Sequence, residues 1–457
     1  MTVGVLGDRV GAHHRRPTDG GRVVSDYEQF LRAKRQQAPV DGVDVDDSEI
    51  HESLFHHQQQ VVIWAARRGR GAVFLDTGLG KTRIQLEWLR HMTPKRSGLI
   101  VAPLSIARQT IREAATLGIS LRYVRTVEDL DGPGFYITNY EMADRFAPMD
   151  FDAVVLDESS ILKNHTGATR NALIERWGQV PHRLACTATP APNDHTELAN
   201  HAEFLGAMSR VEMLAAFFVH DDDGWRLKGH AGPAMYEWMS TWAMAARWPS
   251  DITGEPHDDV QYRLPPLNIH AETVEYHYAP EGQLISTGIG GVQGRSRMRK
   301  ATLEPRVQRA AELLDHNRPA IAWCGLNDEA DRMAASVDGA INLHGTLTPE
   351  RKAEIIEAFQ DGEIRVLVSK PSIAGMGLNF QHAAQQVFVG IGDSYEAYYQ
   401  AIRRSWRFGQ TQPVDVHVVV SEIEAEIVAN VRRKEAAASE MTERLVSALH
   451  QRQEAPA

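Results

Sequence analysis

The chain has 457 residues, of which 43% are hydrophobic and 24% charged, and this length predicts two or three domains of an ordinary globular protein. Its two cysteines, Cys186 and Cys324, exclude a disulfide framework or a four-cysteine zinc site and indicate a reducing compartment. The formal net charge of −11 argues against a protein that coats nucleic acid, although a basic groove on an acidic molecule remains compatible with it.

The first 50 residues mix glycine, arginine and aspartate and end in an acidic run from Asp41 to Glu49. We expect residues 1–50 to form a peripheral segment. Residues 1–20 hold no apolar segment resembling a signal peptide, and no apolar run in the chain reaches the length of a membrane span. We therefore expect a cytoplasmic protein without membrane contact.

A helical pattern begins near Leu54 and contains Gln58. An amide side chain both donates and accepts hydrogen bonds, so Gln58 could read the edge of an adenine base. A glutamine on a helix is more often simply solvated, and only a nucleotide-binding motif shortly downstream in the chain would favour the adenine-reading role.

The stretch Leu75-Asp76-Thr77-Gly78-Leu79-Gly80-Lys81-Thr82 lies between an apolar strand and an amphipathic helix. Two glycines let the backbone turn its N–H groups toward a phosphate, Lys81 can reach the β and γ phosphates, and the Thr82 hydroxyl can hold Mg²⁺. The strict P-loop pattern has glycine where this chain has Leu75. Strand, glycine turn and helix together still predict a nucleotide site.

Strands and helices alternate after this stretch, which predicts a parallel sheet with ligands at the carboxyl ends of its strands. One predicted strand, Ala153–Leu156, leads directly into Asp157 and Glu158. We expect Asp157 to bind Mg²⁺ and Glu158 to polarise the attacking water. The alternative is that the acidic pair caps a helix.

A further predicted strand ends at Thr187-Ala188-Thr189-Pro190. The two threonine hydroxyls could hydrogen-bond the acidic pair and transmit the state of the nucleotide. The alternative is that these residues only form a turn.

Gly-Leu-Gly-Lys-Thr, Asp-Glu-Ser-Ser and Thr-Ala-Thr-Pro, in that order, resemble motifs I, II and III of superfamily 2 helicases and translocases. Leu162-Lys163-Asn164 is most similar to the Swi/Snf branch. The resemblance places Gln58 at the adenine-reading glutamine, Pro103-Leu104-Ser105 at motif Ia, and Thr138-Asn139-Tyr140-Glu141 at a tract that touches the DNA backbone. It implies two RecA-like lobes that use ATP and Mg²⁺ and act on DNA through its backbone, with little preference for base sequence.

Residues 201–300 carry no periodic strand–helix pattern, and their tryptophans favour a small helical core over a base-stacking platform. In the resembled branch this interval holds helical protrusions between the lobes. A second strand–helix pattern follows. We therefore predict an ATP-binding lobe at 51–200, a helical insertion and linker at 201–300, a second lobe at 301–420 and a C-terminal helix at 421–457.

Two tracts of the second lobe complete the resemblance. Ile373 to Phe380 resembles motif V, and its glycines Gly375 and Gly377 permit close approach to a phosphate. Gln400 to Gln410 resembles motif VI. Arg404 and Arg407 lie three residues apart, so on a helix both could point at one γ-phosphate as arginine fingers. The resembled branch commonly has aspartate where this chain has Arg403, which leaves the local ion pairing open.

The expected site residues fall into four groups. Those expected in catalysis are Lys81, Asp157, Glu158, Gln400, Arg404 and Arg407. Those expected to bind nucleotide are Gln58, Thr77, Gly78, Leu79, Gly80, Lys81, Thr82, Gly375 and Gly377. Thr82 and Asp157 are expected to hold Mg²⁺. Those expected to touch DNA are Pro103, Thr138, Asn139, Tyr140 and Asn379.

The sequence thus predicts an α/β protein of two RecA-like parallel-sheet lobes in tandem that couples ATP hydrolysis in the cleft between them to movement along DNA, with duplex DNA as the expected track. A strand-separating helicase and the motor subunit of a restriction or repair complex are the alternatives within this class. A nucleotide-binding DNA scaffold that hydrolyses nothing is the alternative from another class. The C-terminal helix, with Ile423, Ile427 and Val431 on one stripe, is expected either to brace the lobes or to bind a protein partner.

Overall fold

The computed structural model describes residues 40–163, 168–222, 224–275, 301–374, 378–390, 392, 394–421 and 425–454. Two parallel sheets flanked by helices build two lobes, so the predicted α/β fold with tandem RecA-like lobes is confirmed. Within these ranges, no helix has both the length and the apolar character that crossing a bilayer requires.

The described residues of the first lobe form nine strands. They are β1 (Arg70–Leu75), β2 (Ser97–Ala102), β3 (Leu121–Tyr123), β4 (Phe135–Asn139), β5 (Phe151–Asp157), β6 (His182–Thr187), β7 (Phe218–Asp221), β8 (Gly224–Leu227) and β9 (Ala243–Ala246). Seven of them form one parallel sheet in the order β3-β4-β2-β5-β6-β1-β9, and β7 and β8 form a separate antiparallel hairpin. The central strands are buried along almost their whole length, as expected of a sheet covered on both faces.

In the part of the chain that the structure describes, eight α-helices accompany this sheet. They are α1 (His56–Arg68), α2 (Lys81–Met92), α3 (Leu104–Thr116), α4 (Ala168–Trp177), α5 (Leu198–Leu205), α6 (Arg210–Phe217), α7 (Gly232–Met239) and α8 (Ser250–Thr253). Helix α2 shows how the sequence positions them. Ile84 and Trp88, one turn apart, are both fully buried, so the helix turns one apolar face to the sheet.

The second lobe has a six-stranded parallel sheet in the order β10-β15-β14-β11-β13-β12. Its strands are β10 (Leu267–Val274), β11 (Ala320–Cys324), β12 (Ala340–Leu343), β13 (Val366–Ser369), β14 (Gln385–Val389) and β15 (Val414–Ser421). Its helices are α9 (Leu303–Leu313), α10 (Asn327–Ser336), α11 (Pro349–Gln360), α12 (Pro371–Ala374) and α13 (Tyr395–Ile402), and α14 (Ala425–Glu454) follows the last strand. Along β11, Ile321 and Trp323 join one apolar cluster and Ala322 and Cys324 another, because successive side chains of a strand point to opposite faces.

The interval 201–300 is not the purely helical insertion that we expected. Strand β9 pairs in parallel with β1 and so closes the edge of the first sheet, while β10 pairs in parallel with β15 and closes the edge of the second. Trp238 and Trp242 are buried in the core of the first lobe. Both lobes therefore extend into the interval, and the expected boundaries at 200 and 300 do not coincide with the ends of the sheets.

The C-terminal helix α14 joins the two cores. Val431 packs into a core of the second lobe, whereas Met441, Leu445 and Leu449 pack into that of the first. Burying an aliphatic side chain of this size contributes about 1.5 to 3 kcal/mol. Of the two roles expected for this helix, the structure supports the brace. Ile423 and Ile427 of the predicted stripe lie outside the residues whose side chains are described.

Residues 40–50 also differ from the expectation of a peripheral segment. Val45 and Ile50 are buried in the first core, and Arg67 and Arg70 pair with Asp44 and Asp41. The acidic run therefore packs against the first lobe and forms ion pairs with it.

Candidate nucleotide-binding and catalytic site

Three neighbouring strands of the first sheet carry the predicted motifs to one edge. Strand β6 pairs with β1 on one side and with β5 on the other. All three are parallel, so the loop after β1, the threonines after β6 and the acidic pair after β5 emerge side by side. The predicted convergence of motifs I, II and III is thus a direct consequence of strand order.

The glycine loop adopts the backbone that the sequence anticipated. Gly78 and Gly80 have φ angles of 94° and 82°, in the left-handed region that side chains disfavour. Helix α2 begins at Lys81, whose Nζ donates to the carbonyl oxygens of Leu75 at 2.9 Å and Asp76 at 3.3 Å. The lysine therefore folds back over the loop. Its ammonium group could there donate to a bound phosphate in place of the carbonyl oxygens.

Gln58 of helix α1 lies against this loop. Its Nε2 donates to the carbonyl of Leu79 at 3.4 Å, and its Oε1 accepts from the Phe55 N–H at 3.1 Å. A ring nitrogen of His57 lies 3.1 Å from the same Leu79 carbonyl. The side chain thus lies against the glycine loop, and its reading of adenine stays a prediction.

Asp157 is the last residue of β5 and is buried. Its Oδ1 accepts from Gln85 Nε2 at 2.7 Å and from the N–H of Glu158 at 3.1 Å. Burial raises its pKa, while Gln85 and Lys81 lower it in part. Gln85 lies one turn after Thr82 on α2, so Thr82 and Asp157 supply a hydroxyl and a carboxylate on facing elements. Oxygen ligands of these types suit Mg²⁺.

Glu158 has a left-handed backbone, with a φ of 53°. Its Oε2 is buried and has no hydrogen-bond partner among the described residues. Burial and the neighbouring Asp157 raise the pKa of Glu158 to about 7, although Lys81 and Arg404 act in the opposite direction. An unsatisfied carboxylate with a pKa near neutrality fits the predicted role of polarising water.

The threonines after β6 serve the turn. The N–H of Thr189 donates to Thr187 Oγ1 at 3.1 Å, and Thr189 Oγ1 is buried without a partner among the described residues. The acidic motif instead contacts α5, through Ser159 Oγ and His201 Nε2 at 3.1 Å. Of the two interpretations of the threonines, the structure supports turn formation.

The expectation that Arg404 and Arg407 share one face of a helix is wrong. Helix α13 ends at Ile402, and residues 403–409 form turns. The Arg404 carbonyl accepts from the Phe380 N–H at 2.9 Å, and this long-range bond takes the place of a helical one. The turn still brings both guanidinium groups to the same carbonyl, since each donates an Nη1 hydrogen to Leu378 O, at 3.1 and 3.2 Å.

Arg404 interacts electrostatically with Glu158 of the first lobe. Burial and the like charge of Arg407 lower its pKa to about 9, and Glu158 offsets part of that shift. Its guanidinium is held by Gln400, through the backbone carbonyl and the side-chain Oε1, both at 2.8 Å. Gln400 therefore fixes the orientation of the Arg404 guanidinium within the second lobe.

Two contacts between the lobes were not anticipated. Arg403 Nη2 lies 2.6 Å from Asp76 Oδ2, and the Tyr399 hydroxyl donates to Asp76 Oδ1. Lys163, behind the acidic pair, forms an ion pair with Glu396 of α13. The sequence held one signal for the first contact, namely two opposite charges. Arg403 stands where the resembled motif commonly has aspartate, and Asp76 stands in the glycine loop.

The residues expected to touch DNA are less accessible than anticipated. Thr138 is fully buried and donates to Val124 O at 2.8 Å, and buried Tyr140 donates to Asp157 O at 2.6 Å. Asn139 is buried as well and accepts from the Tyr123 hydroxyl at 2.8 Å. Side-chain contacts of Thr138 and Tyr140 with DNA are therefore not supported. Asn379 is exposed, Pro103 precedes α3 at the surface, and Gly375 and Gly377 lie outside the described residues.

A comparison with protein families matches residues 306–409 to the helicase conserved C-terminal domain. The chain is also 22% identical to a SWI/SNF-related matrix-associated actin-dependent regulator of chromatin subfamily A-like protein 1 homolog of Caenorhabditis elegans, over 86% of this chain and 62% of that protein. It is 22% identical to the mouse DNA annealing helicase and endonuclease ZRANB3, over 82% of this chain and 39% of that protein. These matches support the resemblance to Swi/Snf-type helicases of superfamily 2.

The chain spans about 62% and 39% of the length of those two relatives. Among solved structures, the Sulfolobus solfataricus SWI2/SNF2 ATPase core in complex with dsDNA matches with a TM-score of 0.43 and 16% identity, over 88% of this chain and 98% of that one. The residues of the candidate nucleotide site lie in both lobes, and the matched family domain covers Arg404 and Arg407.

Proposed function

We propose that this chain is a nucleic-acid-dependent ATPase that hydrolyses ATP between its lobes and uses the cycle to move along duplex DNA. The observation that carries the proposal is that the turn of the second lobe bearing Arg403, Arg404 and Arg407 lies against the glycine loop of the first lobe, with Arg403 Nη2 2.6 Å from Asp76 Oδ2. Neither lobe alone contains the lysine, the acidic pair and the arginines. Hydrolysis would thus depend on the relative position of the lobes, which is the property a motor needs.

The chain's own residues supply the parts of a phosphoryl transfer. The glycine loop and Lys81 would cradle the β and γ phosphates, and Glu158 would accept a hydrogen bond from the water that attacks the γ-phosphorus. Arg404 and Arg407 would offset the charge on the transferring group as the bond to the β-phosphate oxygen breaks. Thr82 and Asp157 would hold Mg²⁺, which when bound neutralises phosphate charge.

The track is proposed to be the phosphate backbone of duplex DNA. The names of the relatives include an annealing helicase and a chromatin regulator, and the protein's own charge of −11 restricts binding to local surfaces. The exposed start of α3 at Pro103 and the exposed Asn379 are the candidate contacts that remain accessible. Contacts with backbone phosphates predict little sequence preference and weaker binding as salt rises.

ATP turnover measured with single-stranded DNA, duplex DNA, forked DNA and RNA tests the proposal. Duplex DNA should stimulate turnover most. Lys81→Ala and Arg404→Ala should each lower the stimulated rate by at least about 100-fold. Lys95→Ala and Arg332→Ala, at exposed positions outside the site, should leave it unchanged. Equal rates for Lys81→Ala and wild type would remove the basis of the proposal.

Strand-separating activity is the second candidate, and paired displacement assays decide between the two. A duplex translocase displaces the third strand of a triplex and leaves a plain forked duplex intact. Unwinding of the fork would favour the helicase. Binding of both ATP and DNA without turnover would favour the non-hydrolysing scaffold.

A further inference from the structure

Asp76 and Arg403 connect the two halves of the proposed site directly. Asp76 stands at the start of the glycine loop, next to Thr77, whose N–H donates to Asp76 Oδ1 at 2.6 Å. Arg403 Nη2 reaches Asp76 Oδ2 from the second lobe at 2.6 Å. Their side chains are 22% and 9% exposed, so water screens this ion pair far less than a surface pair.

Two aromatic rings hold the guanidinium of Arg403 in addition to its bond to Asp76. Its central carbon lies 4.5 Å from the centre of the Trp406 ring and 5.2 Å from that of Tyr399. Trp406 is itself anchored, because its Nε1 donates to Pro265 O at 2.7 Å. Stacking on aromatic faces adds to the ion pair and defines its orientation. The Tyr399 hydroxyl also donates to Asp76, so two neighbouring side chains of the second lobe grip one carboxylate.

The charges of the pair are retained. Burial alone would raise the pKa of Asp76, but Arg403, the Tyr399 hydroxyl and the Thr77 N–H together hold it below its ordinary value. Burial likewise disfavours the Arg403 cation, and Asp76 and Tyr399 together more than compensate, so the pKa of Arg403 is raised. A buried charge without its partner would be costly, so loss of either member should displace the other.

Arg403 also lies at the start of the turn that carries Arg404. Its backbone N–H donates to Tyr399 O at 3.1 Å at the end of α13, and the turn that carries Arg404 begins there. A shift of Arg403 relative to the glycine loop therefore moves the guanidinium of Arg404 relative to Glu158. Phe408, later in the same turn, packs on the loop as well, since a Cβ at Gly78 would lie 3.1 Å from Phe408 Cβ.

We propose that Asp76 and Arg403 are positioning residues that set the register between the glycine loop and the turn bearing the catalytic arginines. This inference rests on the proposed ATPase function. The aspartate that the resembled branch commonly has at position 403 would face Asp76 with like charge, so the pair is a feature of this chain that the shared motifs do not contain. Displacing a reacting group by about 1 Å can cost on the order of 100-fold in rate.

A double-mutant cycle tests the pair. ATP turnover with saturating duplex DNA is measured for Asp76→Asn, Arg403→Gln, the double variant and Arg403→Lys. Each single substitution should lower kcat by roughly 10- to 100-fold and change the KM for ATP by less than about threefold. The double variant should be no slower than the slower single one, because the same contact is lost. Arg403→Lys should recover part of the rate. Arg332→Gln, which breaks an exposed pair with Glu304, is the matched control.

Amide hydrogen exchange of the nucleotide-free protein gives a second readout that does not depend on turnover. Asp76→Asn should speed exchange in residues 395–410, and Arg332→Gln should not. Rates within twofold of wild type, multiplicative losses in the double variant or unchanged exchange would each overturn the pair. If wild type hydrolyses no ATP with any nucleic acid, the proposed function fails, and the exchange data still decide whether the pair tethers the turn.

Discussion

Gly80 is the residue at which the glycine loop and helix α1 approach most closely. A methyl group there would lie 2.1 Å from Gln58 Nε2, and the backbone φ of 82° already disfavours a side chain. Gln58 would have to leave the Leu79 carbonyl. Two features thus favour glycine at position 80, namely its left-handed backbone and the close approach of Gln58.

Gly80→Ala and Gly118→Ala separate these two requirements. Gly118 has a φ of 69° and open space where a Cβ would stand. Both variants should lose about 1 to 2 kcal/mol of unfolding free energy from the left-handed backbone. Gly80→Ala alone should also weaken binding of a fluorescent ATP analogue, by roughly tenfold or more. Denaturant titration and fluorescence binding measure the two effects, and equal affinities in the two variants would contradict the close packing on Gln58.

His201 makes the first lobe sensitive to acid. Burial lowers its pKa to about 4 from an ordinary value of 6.5. Between these values the unfolded chain binds a proton that the folded protein does not, so stability falls as pH drops from 6.5 to 4. The loss attributable to His201 is about 3 kcal/mol. Denaturation of His201→Gln across this window should show a shallower dependence on pH than wild type. His257→Gln, at an exposed position, should keep the wild-type slope.

At the scale of single elements, helix α14 packs on the first lobe through buried positions and leaves other positions exposed. Leu445 is 1% exposed in the first core, whereas Glu443, two residues earlier, forms an exposed ion pair with Arg247. Leu445→Ala should lower the free energy of unfolding by about 2 to 5 kcal/mol. Glu443→Ala should change it by less than about 1 kcal/mol. Urea denaturation of both variants measures the difference, and similar losses would mean that the helix is not seated as described.

The elements that the sequence predicted well are those with a local signature. Strand β1, the glycine loop and helix α2 follow from an apolar run, glycines at the turn and helical spacing, all within one stretch. Strand β9 had no such signature, because Ala243-Met244-Ala245-Ala246 favours helix by propensity, and it forms a strand through pairing with β1. The end of α13 was missed for a similar reason. The Phe380 N–H, which donates to the Arg404 carbonyl oxygen just after the end of α13, is distant in sequence.

At the scale of the whole molecule, α14 should make the two lobes unfold together. It contributes Val431 to one core and Met441, Leu445 and Leu449 to the other. Wild type should therefore show one calorimetric transition, with matching calorimetric and van't Hoff enthalpies. Removal of residues 425–457 should give two transitions. Arg351→Ala, at a surface pair with Glu354, should retain one. A single transition in the truncated protein would show that the remaining contacts between the lobes suffice.

Some features of the candidate site follow from the local sequence, and others depend on contacts between residues distant in the chain. Lys81, Asp157 and Glu158 were identified because each directly follows its own strand or turn. The buried state of Thr138 and the pairing of Asp76 with Arg403 depend on residues that approach only after folding. Sequence patterns thus predicted the candidate site residues, whereas the contacts between the lobes could be found only in the folded structure.

Among the described residues, Glu158 is the only one other than glycine with a left-handed backbone. Such a conformation costs on the order of 1 to 3 kcal/mol, and glycine would relieve it. Glycine carries no carboxylate, so relief of the strain would remove the buried Glu158 carboxylate. Under the proposed function, a gain in thermal endurance at this position would therefore come at the expense of reactivity, and a programme of stabilising substitutions should leave it untouched.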